Sequence, residues 1–161
     1  MKNIFSILFA IFFLQSCASH KMSYSSINEP IKDKKVIALA GQRLPWVVEI
    51  EQRLKSKGFT VLRYSSVQKT TEKSQTKDIE YQEASTRYVV QLSGFAPLEW
   101  AHRCLGGGYK FSFISAEVID TRTNESIYSF NDSGYSENCA PLSGTIFNDL
   151  VEGIDGLWRA K

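Results

Sequence analysis

The chain has 161 residues, 43% of them apolar, and 19 Lys and Arg stand against 17 Asp and Glu for a net charge near +2. That length and apolar content suit one domain with a real core. The near balance of charge, with no stretch where basic clusters alternate with aromatics, speaks against nucleic acid as a partner, because phosphate contacts need a basic face.

Met1, Lys2 and Asn3 make a short basic start, and Ile4 to Leu14 then run apolar apart from Ser6. The run is too short to span a bilayer as a helix, which takes about 20 residues. Leu14-Gln15-Ser16-Cys17 closes it. A basic start, a short apolar segment and a small residue before the cut are the marks of an export signal. With Cys directly after the cut, the stretch resembles the lipobox of bacterial lipoproteins, although Gln15 departs from the small or β-branched residue usual there. The resemblance implies a signal peptide over 1–16, lipidation at Cys17, and permanent membrane attachment through several acyl chains, palmitate among them. Ala18 in place of Asp implies sorting to the outer membrane, facing the periplasm. An ordinary secretory signal, or a buried N-terminal helix, is the plainer alternative.

Ala18 to Asp33 is polar, Ser-rich and holds Pro30. It reads as a flexible tether over 17–33, with an r.m.s. reach of about 20–25 Å that would hold a domain over 34–161 clear of the lipid. Val36 to Ala40 is a continuous apolar run ended by Gly41, a buried strand by length and flanks. Pro45 can open a helix, and Leu44, Val47, Ile50 and Leu54 recur on one helical face. Glu49–Arg53 and Glu51–Lys55 form i,i+4 pairs on its outer face. Lys57-Gly58 stops that helix, and Phe59 to Tyr64 is the next strand. From Ser65 to Thr86 the composition is that of a loop, with two helical turns over Asp78 to Ala84. Strands follow over Arg87 to Gly94, Lys110 to Asp120 and Glu125 to Tyr135, the last two paired through a tight turn at Thr121-Arg122-Thr123-Asn124. Ile146, Phe147, Leu150, Val151, Ile154, Leu157 and Trp158 follow helical spacing, with Ser143 as N-cap and two weak points, or close-packing points, at Gly153 and Gly156.

With Cys17 lipidated, Cys104 and Cys139 remain, and in an oxidising compartment the pair reads as a disulfide. If the hairpin turns between Arg122 and Thr123, opposed residue numbers sum to 245, and this pair misses that register by two. The glycines 106–108 on one side and Pro141 on the other offer slack for the offset. A nucleophilic thiol assisted by His102 lacks an acidic orienter and would face oxidation by Cys139. A zinc site of His102, Cys104 and Cys139 lacks a fourth ligand. The three glycines precede a strand, whereas anion cradles place a helix behind them. Glu99, Glu117 and Asp120 show no spacing that pairs two as acid and base. Trp100, His102 and Arg103, with Tyr109, form a partner-binding candidate of a kind favoured at interfaces, against the plainer reading that Trp100 caps the core.

Glu83 to Gly94 followed by Phe113 to Ser129 resembles the strand and hairpin of a group of envelope lipoprotein domains. That group comprises the activators of penicillin-binding proteins, the curli secretion lipoprotein and the N-terminal domain of the Tol translocation protein. Asn124 replaces the group's usual Gly at the turn, and the cysteine pair lies outside its pattern. The resemblance implies an α+β domain that binds another envelope protein. The sequence therefore predicts a single α+β domain with a mixed sheet of about five strands under helices. It would be a non-enzymatic, cofactor-free accessory docking on a periplasmic or membrane-embedded envelope protein. A small-ligand or glycan-binding module around Trp100 and Tyr109, and an inhibitor of a host enzyme such as lysozyme, remain open beside it.

Overall fold

A computed structural model describes residues 21–63, 86–97 and 104–159. The helical turns expected over 78–84, and the loop around them up to residue 85, lie outside the described residues, as does everything before Lys21. The elements are β1 (Met22–Ser25), β2 (Val36–Ala40), α1 (Pro45–Ser56), β3 (Thr60–Arg63), β4 (Tyr88–Phe95), β5 (Lys110–Asp120), β6 (Glu125–Tyr135) and α2 (Ile146–Gly156). The strands form one six-stranded sheet in the order β1-β6-β5-β4-β2-β3. β2 runs parallel to both β3 and β4, and the remaining pairs are antiparallel. The fold is α+β with a mixed sheet, as the sequence predicts, but with one strand more.

That extra strand lies in the segment expected to be a tether. Met22 pairs with Asn131 and Ser25 with Tyr128, so β1 extends the hairpin of β5 and β6. Ile27 and Ile31 then pack against the core. Ile31 donates its amide to the Leu157 carbonyl at 2.7 Å, and the Trp158 indole N–H donates to the Asp33 carbonyl at 3.1 Å. Two isolated isoleucines in a polar stretch give no periodicity to read, yet each buries enough apolar surface to hold the strand down.

Alternation along the strands sends Ile37, Leu39, Val90, Leu92, Ala116, Val118, Tyr128 and Phe130 to one face, where both helices cover them. α1 contributes Trp46, Val47, Ile50 and Leu54, and α2 contributes Phe147, Leu150, Val151 and Ile154. Pro45 opens α1 as expected and Lys57 closes it. Glu49–Arg53 and Glu51–Lys55 pair at 2.8 and 2.7 Å, but Glu51 does not stand on the outer face. It is turned toward β3, where its second oxygen accepts from Arg63 at 2.7 Å. Lys55, foremost, and Arg63 hold its carboxyl below the usual range.

α2 starts differently from expectation. Thr145, not Ser143, is its N-cap, and the orphan amides of Phe147 and Asn148 donate to the Glu137 carboxylate at 3.3 and 2.7 Å. A carboxylate at a helix N-terminus is favoured by both hydrogen bonding and the helix dipole, and here it comes from the preceding loop. Ser143 instead accepts the Cys139 amide at 2.9 Å. Gly153 is a close-packing point, because a Cβ there would collide with the Tyr128 hydroxyl on β6.

Candidate functional site

The sheet has two chemically distinct ends. At one, Cys104 and Cys139 are joined in a disulfide with their Cα atoms 4.7 Å apart. Opposed residues of the hairpin sum to 245 at Asp120 and Glu125, to 246 along the middle, and to 245 again at Lys110 and Tyr135. An extra residue on β6 at Ile127 and a compensating one on β5 between Phe111 and Ile114 account for both changes. The register therefore reaches the bridge between Leu105 and Ala140 intact. The two-residue offset of the disulfide is taken up at the bridge itself by a tight turn, in which Gly107 donates to the Cys104 carbonyl at 3.0 Å. Gly108 is required for a separate reason. A Cβ there would lie 2.8 Å from the Cys139 sulfur and closer still to the Glu137 carbonyl.

Tyr109 does not reach a surface. Its ring is only 4% exposed and packs on Phe111 and Phe147, with centroids 6.0 Å away in each case. Alternation with exposed Lys110 and buried Phe111 points it at the helices, which the composition of its loop did not reveal. Trp100, His102 and Arg103 lie outside the described residues. Four large apolar side chains stand in solvent around this end: Phe95 at 59%, Leu105 at 81%, Phe113 at 49% and Leu142 at 59% exposure. Phe95 and Phe113 are cross-strand partners on the face that the helices leave uncovered.

The other end is ionic. Arg87 donates to both oxygens of Asp120, from Nε at 3.1 and 2.9 Å and from Nη2 at 2.7 Å, and to Asp33 at 2.8 Å. Tyr88 donates its hydroxyl to the same Asp33 oxygen at 3.1 Å. Asp120 also accepts the Arg122 amide at 3.0 Å, and the turn closes through Asn124, whose φ of 58° is the left-handed value expected at this position. The Arg87 bonds hold the Asp120 carboxyl below the usual range, and burial, reinforced by Asp33, pushes the Tyr88 hydroxyl up to about 12. These groups line a cleft of about 320 Å³ with Ile27 and Pro30. Arg87 and the two carboxylates facing it are spent on one another, so the cluster straps residues 27–33 across the sheet. The sequence carried Asp120 only as an unpaired acid. Its partner became visible once β4 and β5 were in register, with Tyr88 opposite Asp120.

Among the described residues no group of His, Cys, Asp and Glu could hold a metal ion, and no helix is long and apolar enough to cross a membrane. No family model and no curated protein matches the chain. Solved structures resemble its outline. The PelC dodecamer from Paraburkholderia phytofirmans superposes with a TM-score of 0.49 at 15% identity, covering 89% of this chain and all of that one. A point variant of that dodecamer gives 0.48 at 14% identity, with the same coverage. A PDZ domain protein from Parabacteroides distasonis gives 0.34 at 9%, covering 96% of this chain and 39% of that one. Likeness at this level says nothing of what this chain binds.

Proposed function

We propose that the chain is an outer-membrane lipoprotein, anchored through Cys17 and facing the periplasm, which serves as a non-enzymatic accessory docking on another envelope protein. The observation that carries this reading is the division of the three cysteines. Cys104 and Cys139 are joined, which suits an oxidising envelope compartment, and Cys17 is left over at the end of the lipobox-like stretch.

Two measurements test it. Labelling with radioactive palmitate should mark the native protein and leave Cys17→Ser unlabelled; equal labelling of both, or of neither, removes the anchor. Cross-linking in intact envelopes with a C-terminal tag should then capture one dominant protein, lost on changing Trp100 or Arg103. An envelope in which only glycans or lipids are recovered overturns the docking role.

A further inference from the structure

We infer that the disulfide end of the domain lies against the phospholipid surface that holds the anchor, with Leu105, Leu142, Phe95 and Phe113 seated in the lipid interface. The inference rests on lipidation at Cys17. Because β1 begins at Met22, paired with Asn131, only five residue steps separate it from Cys17, and even a fully extended chain spans at most about 18 Å over that distance. A tether running to Asp33 would have left the domain free to turn; a chain captured at Met22 does not.

The exit point sets the orientation. β1 runs antiparallel to β6 with Ser25 toward the hairpin turn, so its start points to the opposite end, where the disulfide lies. Lys21 confirms the direction. Its ammonium is 3.0 Å from Asp149 in the first turn of α2, and the start of that helix is held by Glu137, two residues from Cys139. The anchor thus leaves from the end that carries the four exposed apolar side chains.

The charges there fit a phosphate-bearing surface. Arg43, in the link from β2 to α1, and Lys110, at the start of β5, are exposed. Among the described residues, the carboxylates at this end are engaged: Glu137 with α2 and Arg53, Asp149 with Lys21 and Thr145, and Asp132 is buried. Apolar side chains beside unopposed cations are the composition of an interfacial membrane contact. The ionic end, with Arg87, Asp33 and Asp120 paired together, would face away from the membrane.

The test uses the full-length protein extracted in detergent and reconstituted into vesicles of phosphatidylethanolamine and phosphatidylglycerol, with and without brominated acyl chains. Leu142→Trp and Phe113→Trp report on the disulfide end; Arg122→Trp, on the exposed hairpin turn, reports on the other. Interfacial side chains sit about 5–10 Å deep, so the first two reporters should lose roughly half of their added emission to brominated lipid, and Arg122→Trp almost none. Quenching of the disulfide-end reporters by aqueous acrylamide but not by lipid overturns the inference. So does protection from both quenchers, which would mean that a second copy or a partner protein covers the patch. Vesicle flotation separates the two levels. Protein that fails to float because Cys17 bears no lipid removes the anchor as well, whereas protein that floats with unquenched Leu142→Trp removes only the orientation.

Discussion

At the Cys104 end, the strands are stapled covalently and large apolar side chains stand in solvent. At the Asp120 end, the chain is held by a web of charge-assisted hydrogen bonds. Both ends tie down a segment that the sheet alone leaves loose: the glycine loop at one, residues 27–33 at the other. The disulfide does so without carboxylates or pH dependence, and it leaves the surface free for contacts. The ionic cluster uses its polar groups up internally. Interaction should therefore be sought at the first end, and sensitivity to pH and salt at the second.

The largest expected effect breaks the covalent end. Reduction of Cys104–Cys139, or Cys139→Ser paired with Cys104→Ser, should lower unfolding free energy by roughly 3–4 kcal/mol for a sequence separation of 35, measured by urea titration with and without reductant. A loss under about 1 kcal/mol would mean that the Leu105–Ala140 bridge and the turn hold that end unaided.

Asp120→Asn should come next, at about 2 kcal/mol, because it removes the charge from the bonds with Arg87 while leaving a group of the same shape. The same variant sharpens the acid response. The Asp120 carboxyl is held below its ordinary value of 3.8, so its contribution is complete above that value and is lost as pH falls through the lower folded value. Asn at this position should flatten the acid limb of the stability profile. An unchanged limb would assign acid sensitivity to other carboxyls such as Glu51, which is also held low.

At alkaline pH the sign is reversed. Burial, foremost, pushes Tyr88 and Tyr128 up from 10.0 to about 12, so the stability this confers is complete below pH 10 and is lost as pH rises toward 12. Tyr88→Phe should remove part of that loss. An alkaline profile identical to that of the native protein would mean that folding does not raise Tyr88, and would assign the loss to Tyr128.

Lys21→Ala should have the smallest effect, under about 0.5 kcal/mol, since the side chain is 44% exposed and surface ion pairs contribute little. Its use is to show what holds β1. Amide exchange at Met22–Ser25 should stay protected in the variant, because the strand is fixed by backbone pairing with β6 and by Ile27 and Ile31; fast exchange would return β1 to the status of a tether.

Much of the fold could be read directly. Pro45, the heptad-like apolar steps of both helices and the alternation in β5 and β6 are local signals, and each element formed within a few residues of expectation. The Cys104–Cys139 pairing expected from the sequence is the one that the structure holds. The misses share a cause. β1 and the Arg87–Asp120–Asp33 cluster join residues far apart in the chain, and Glu137 caps α2 from the preceding loop, outside any local capping motif, so no neighbouring residues signal either. Tyr109 was misplaced for the opposite reason: its neighbours Gly108 and Lys110 have the composition of a surface loop, and only strand direction sends the ring inward.

The sequence by itself determined the described elements other than β1, the fold class and the disulfide, since periodicity and turn chemistry act through neighbours and a cysteine pair through composition. Only the tertiary structure decided which end of the sheet is ionic and which apolar, that the chain is captured at Met22, and that Tyr109 is core. Those depend on strand order and register, which are settled by which faces bury together and not by any residue's own preference.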